Sequence, residues 1–159
     1  DMENPRLAIV FANTKRAVDD ITDFLMARSY SVDPVHGDLN QIMRDRVMKN
    51  FRSGNVEVLA ATDVAARGLD VDELDLVVNF DLPYDEEDYV HRIGRTGRAG
   101  RKGMAVSLVG GRDIFLLQRI QRYAKVKIDR HKVPSREDVE GKGSVNAGEK
   151  TKQVDHLDL

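Results

Sequence analysis

"VEVLAATDVAARGLDVDELDLVVNF", residues 56–80, carries two short apolar runs, "VEVLAA" (56–61) and "LDLVVNF" (74–80), on either side of a polar turn. Neither run alternates cleanly between apolar and polar residues. A strand that is apolar on both faces needs cover on both, which is the condition of strands in parallel sheets sandwiched by helices. Between the runs, "TDVAARGLD" (62–70) reads as a turn with room for one helical turn. The same logic extends outward. "RLAIVF" (6–11), "YSVDPV" (30–35) and "GMAVSLV" (103–109) read as further short strands, and "KVKIDRH" (125–131) as a last one. Helices fall between them. Ala17, Val18, Ile21 and Leu25 recur at helical spacing after a cap at Asn13 or Thr14. Ile42, Val47 and Phe51 are expected on one side of a helix over 41–54 that Gly54 stops. Pro83 ends the 74–80 strand, Asp85 caps a helix with Glu86, Glu87 and Asp88 in its first turn, and 113–124 is amphipathic.

Strands alternating with helices predict an α/β domain of three layers, a parallel sheet with helices on both faces. Sheets of this kind bind ligands outside the carboxyl ends of their strands. The chemically unusual segments "ANT" (12–14), "HGD" (36–38) and "TDVAARGLD" all follow strands, so a site is expected there.

At 159 residues the chain is long enough for one domain with a substantial core, assigned here to 1–134. From 135 to 159 the composition turns polar and reads as a tail or linker. With 41% hydrophobic and 33% charged residues, and apolar runs far shorter than a membrane span, no membrane role is expected. There is no cysteine, which removes disulfides and thiolate ligands and fits a cytoplasmic location. The four histidines lack metal-ligand spacing, and no metal site is expected. Lys+Arg 25 against Asp+Glu 27 is near balance, so anion binding must come from local clustering. Aromatics are only 6%, too few for base-stacking platforms, so any nucleic-acid contact should be with backbone.

That clustering occurs in "HRIGRTGRAGRKG" (91–103), with arginine at 92, 95, 98 and 101, glycine at 94, 97, 100 and 103, and no acid among them. Guanidinium forks suit phosphate oxygens and glycines admit close approach. Arg92, Arg95 and Arg98, three residues apart, are expected to share a helix face that a polyphosphate would neutralise; a solvated basic loop is the plain alternative. No GxxxxGK(S/T) phosphate cradle is present, and "DELD" (72–75) has no apolar strand leading into it as a Walker-type acid would. The chain thus offers cations for phosphate without the parts that hold and polarise a nucleotide.

Here the residues reach a family. "ATDVAARGLD" (61–70) and "YVHRIGRTGRAGRKG" (89–103) resemble motifs V and VI of DEAD-box ATP-dependent RNA helicases. "IVFANTKR" (9–16) is similar to motif IV, and "HGDLNQIMRDRVMKNFRSG" (36–54) resembles the segment with the family's Gln-x-x-Arg pair. The four stand in the family's order across residues 6–110. The resemblance implies the C-terminal RecA-like domain, with ATP and Mg2+ held mainly by an N-terminal RecA-like domain outside this sequence. By it, Arg95 and Arg98 would be arginine fingers on the γ-phosphate, Gly68 would admit the nucleotide to the backbone, and Asp70 would accept a hydrogen bond from the ribose. His91 and Arg92 would couple the two halves. Asn13, Thr14, Gly37, Gln41, Arg44 and Thr62 would contact the RNA backbone. Simpler roles stand beside these: helix capping for Asn13 and Thr14, a surface charge for Arg44, a capping or core histidine for His91, and for Asp70 a turn acid answering Arg67. The isolated chain would be inactive. Two other classes compete: a stand-alone RNA-backbone binding module, and a protein-interaction role carried by the tail.

Overall fold

The computed structural model describes residues 7–37, 40–97, 102–132 and 151–158. Five short strands form the centre of the sheet: β1 (Ala8–Phe11), β2 (Val32–Val35), β3 (Val58–Ala61), β4 (Leu76–Asn79) and β5 (Lys102–Val109). They lie in the order β2-β3-β1-β4-β5, each parallel to its neighbour, which matches the expected parallel sheet. Two antiparallel strands extend it. β7 (Thr151–Asp158) pairs with β5 over eight residues, and β6 (Asp129–Lys132) pairs with β7 at the outer edge. Part of the segment read as a tail is therefore strand.

Among the described residues the α-helices are α1 (Lys15–Met26), α2 (Gln41–Arg52), α3 (Asp63–Arg67), α4 (Glu86–Ile93) and α5 (Ile114–Ala124). Four begin on side-chain caps: Thr14 accepts from the Ala17 N–H, Asn40 from Met43, Thr62 from Ala65 and Asp85 from Asp88. Each such cap is worth about 1 kcal/mol. Gly54, at φ +84°, supplies the left-handed turn that follows α2.

Register sorts the core into layers. Ile9 pairs with Leu59 and with Val77, and Val77 with Ala105, so these four share one sheet face. On that face α2 and α3 bury Met48, Phe51, Ala65 and Ala66 against β1 and β3, and α4 and α5 bury Tyr89, Ile93, Leu117 and Ile120 against β5. On the other face α1 packs Val18 and Ile21 over Ala8, Val10, Val58 and Ala60. Beyond α1, Phe24, Val78, Phe80 and Leu108 border an apolar groove of about 480 Å³. Full burial of Phe51 or Ile9 contributes roughly 1.5–3 kcal/mol each. One expected core residue is elsewhere: Ile42 is 71% exposed, while Met48 and Phe51 are buried. Ile42 lies about two and a half helical turns from Phe51, on the opposite face of α2, which is turned away from the sheet.

Candidate functional site at the carboxyl edge

Four parallel strands end side by side at Val35, Ala61, Phe11 and Asn79. The chain just beyond them carries His36 and Gly37, Thr62 and Asp63, Asn13 and Thr14, and Asp81. The sheet thus gathers the segments expected to form a site, and residues 91–95 join them from the end of α4.

Arg92 does the joining. It is buried, with its side chain fully shielded from solvent. Its Nε and Nη2 donate to Oδ1 and Oδ2 of Asp63 at 2.8 and 2.7 Å. Nη1 donates to the Asp81 carbonyl at 2.6 Å and to Asn79 Oδ1 at 3.3 Å, and Nη2 also reaches Asn13 Oδ1 at 2.9 Å. All five donors of the guanidinium are engaged, and its Cζ lies 5.1 Å from the Phe11 ring centroid. A buried cation is tolerable only when paired and hydrogen-bonded, and this one is both. Arg92 therefore does not stand on an open helix face beside Arg95; it is a buried hub inside the domain. Its acid comes from α3, not from the "HRIGRTGRAGRKG" stretch.

Arg95 follows the end of α4 and turns back on the α3 segment. Its Nη1 donates to the carbonyls of Leu69 and Val71 at 3.2 and 3.1 Å, and Nη2 to that of Ala66 at 3.3 Å. It thereby ties down the loop that carries Gly68 and Asp70. Arg98 lies outside the described residues. A cleft of about 10 Å³, room for one water, is lined by Asp63, Ala66, Arg67, His91, Arg92 and Arg95. His91 is exposed at its rim.

Gly68 differs from expectation in what its missing side chain makes room for. A Cβ there would stand 2.7 Å from Cζ and Nη1 of Arg44 and 2.9 Å from Nη2. The space belongs to the Arg44 guanidinium, whose Nε is buried with no hydrogen-bond partner among the described residues. Asp70 is exposed, and it answers Arg52, not Arg67: the carboxylate is 3.6 Å from Arg52 Nη2, which also donates to the Asp70 carbonyl at 3.0 Å. Arg67 pairs with Asp88 at 3.0 Å.

The remaining candidates fall along the same edge. Asn13 uses both amide atoms inside the domain, Nδ2 donating to the Leu82 carbonyl and Oδ1 accepting from Arg92. Thr14 and Thr62 cap α1 and α3. Gly37 takes φ +75° beside Lys15. Gln41, the first residue of α2, donates to Asp45 at 2.8 Å and is exposed. Reading the sequence missed Asp63, Asn79 and Asp81 as partners of Arg92, and Arg52 as a partner of the 66–71 loop. Asp63 had one signal, an acid directly after a strand-end threonine. Among the described residues no cluster of three His, Asp or Glu stands ready to hold a metal.

A family profile described as helicase conserved C-terminal domain matches residues 1–100. The DEAD-box ATP-dependent RNA helicase CshA of Bacillus licheniformis is 49% identical over 146 residues, 91% of this chain and 30% of that protein. The chain thus spans under a third of that relative's length. The solved C-terminal domain of the DEAD-box protein Dbp5 superposes with a TM-score of 0.70 at 40% identity, covering 76% of this chain and 71% of that one. A Saccharomyces cerevisiae Dbp5 variant solved with RNA and ADP BeF3 gives 0.66 at 41% identity, over 74% of this chain and 32% of that one.

Proposed function

This chain belongs to the DEAD-box RNA helicases as their C-terminal, RecA-like helicase domain, and from that premise we propose that it supplies one wall of an ATP site together with a sequence-independent grip on the RNA backbone. The other wall is the N-terminal RecA-like domain of the same parent protein, which in this reading also holds most of the ATP and its Mg2+.

The observation that carries the proposal is the meeting of segments around Arg92. One guanidinium binds Asn13, Asp63 and Asp81 at once, so the loops after β1, β3 and β4 share a single edge with Arg95. On the nucleotide side, Arg95 and Arg98 stabilise negative charge on the γ-phosphate as water displaces ADP, and the exposed Asp70 carboxylate accepts from the ribose. Mg2+ supplies further charge neutralisation when bound. His91, exposed at the rim, faces the N-terminal half. On the RNA side, Thr14, Gly37, Gln41, Arg44 and Thr62 offer hydroxyls, backbone and a cation to phosphate oxygens, contacts that position a strand without reading its bases. Asn13 acts there by shaping its loop, since its amide is already engaged.

The test is made in the two-domain parent. Arg95→Ala and Arg98→Ala should each reduce RNA-stimulated ATP hydrolysis by about 10³-fold or more, the range typical of arginine fingers, with ATP binding affected less. The isolated chain should hydrolyse ATP negligibly. Wild-type turnover in either variant refutes the finger assignment, and tight salt-dependent RNA binding by the isolated chain favours a stand-alone binding module.

A further inference from the structure

Three guanidinium groups converge on residues 66–71. Arg95 holds the carbonyls of Ala66, Leu69 and Val71 from one side. From α2, Arg44 lies over Gly68 and Arg52 donates to the carbonyl of Asp70. Arg44 and Arg52 are eight residues apart, about two helical turns. The two ends of α2 therefore differ in role: Gln41 and Arg44 begin it on the surface assigned to RNA, and Arg52 ends it on the loop assigned to nucleotide.

We infer that α2 is a strut that positions the Gly68–Asp70 loop, with Arg52 as a positioning residue for Asp70 and Arg44 as the packing contact that seats Gly68. This rests on the reading of Asp70 as a nucleotide contact. The hydrogen bond to the Asp70 carbonyl does the positioning. The Arg52–Asp70 ion pair, at 3.6 Å with side chains 61% and 85% exposed, contributes little by itself. Arg52 fixes the backbone from which the Asp70 carboxylate projects, leaving the carboxylate open. Displacement of α2 by a strand bound at Gln41 and Arg44 would reach Asp70 through the same helix.

A plainer role for Arg52 is a cation at the carboxyl end of α2, complementing the helix dipole. The experiment separates the two in the full-length parent. Arg52→Ala, Arg52→Lys and Asp70→Ala are compared by amide hydrogen exchange and by KM for ATP and for RNA. Arg52→Ala is expected to speed exchange at 68–71 and to raise KM for ATP about five-fold, the scale of one partly exposed hydrogen bond from a charged donor. KM for RNA should stay near wild type, and Arg52→Lys should fall between Arg52→Ala and wild type. Faster exchange confined to the last turn of α2 overturns the strut. Faster exchange at 68–71 with unchanged KM for ATP, while Asp70→Ala raises it, overturns the positioning role alone. An unchanged KM in Asp70→Ala removes the nucleotide reading of Asp70 and the positioning role with it, and the strut then stands or falls on exchange.

Discussion

Arg92 and Asp63 meet fork to fork, Nε on Oδ1 and Nη2 on Oδ2, with no part of the arginine side chain exposed to solvent. A guanidinium at this depth is stable only when paired, and its partner Asp63 is itself mostly shielded, with 20% of its side chain exposed. Removing either partner leaves the other uncompensated. Arg92→Ala or Asp63→Ala should therefore cost about 3–5 kcal/mol of folding stability, measured by denaturant unfolding of this chain. Arg92→Lys should also be destabilising, because an ammonium cannot reproduce five donors in a plane. A lysine variant as stable as wild type would contradict the hub.

Gly68 and Arg44 should be energetically coupled. Gly68→Ala places a methyl where the Arg44 guanidinium lies, so the arginine must move away. In an Arg44→Ala background that conflict is gone. A double-mutant cycle on unfolding free energy should give a coupling of about 0.5–3 kcal/mol. Additive single effects would show that the contact carries no energy.

Gly103 is more restrictive, because its neighbours include main chain. A Cβ there would run into Thr96 Oγ1 and the Gly97 backbone, including Gly97 Cα at 2.9 Å. Thr96 is itself fixed, its hydroxyl donating to the Leu74 carbonyl. Gly103→Ala should cost about 1–3 kcal/mol, as overpacking does. A melting temperature equal to wild type would show that β5 can shift to accommodate the methyl.

Arg95→Lys distinguishes holding from catalysis. Lysine keeps the charge but cannot bridge three carbonyls with one planar group. Hydrogen exchange at 66–71 should rise in this variant even without nucleotide. If exchange is unchanged while hydrolysis falls, Arg95 serves the reaction and not the loop.

The sandwich of parallel strands and helices was legible because it is written locally. Runs such as "VEVLAA" have no polar face, caps such as Thr14 and Asp85 stand where helices begin, and the motifs kept their order along the chain. What was illegible depends on pairs distant in sequence. Arg92 looked like a surface cation because no acid flanks it; its acid lies 29 residues away, on a helix of five residues. Arg52 looked like a solvated charge because helical periodicity says nothing about a loop packed on the helix's end. Gly68 reads as an approach for nucleotide, and the Arg44 guanidinium that stands over it has no signal in the sequence. Ile42 stands about two and a half helical turns from Phe51 and so points to the opposite face of α2; the stripe read through both is out of phase.

The hydrogen bond between Arg92 and Asn13 spans 79 residues, and that between Asn13 and Leu82 spans 69. Contacts of such sequence separation must overcome loop-closure entropy before they contribute any stability. A chain with its helices formed but its central strands unpaired would have no carboxyl edge, and Arg92 would be an ordinary hydrated cation. The site is therefore a property of the assembled sheet: it exists where β1, β3 and β4 stand in register.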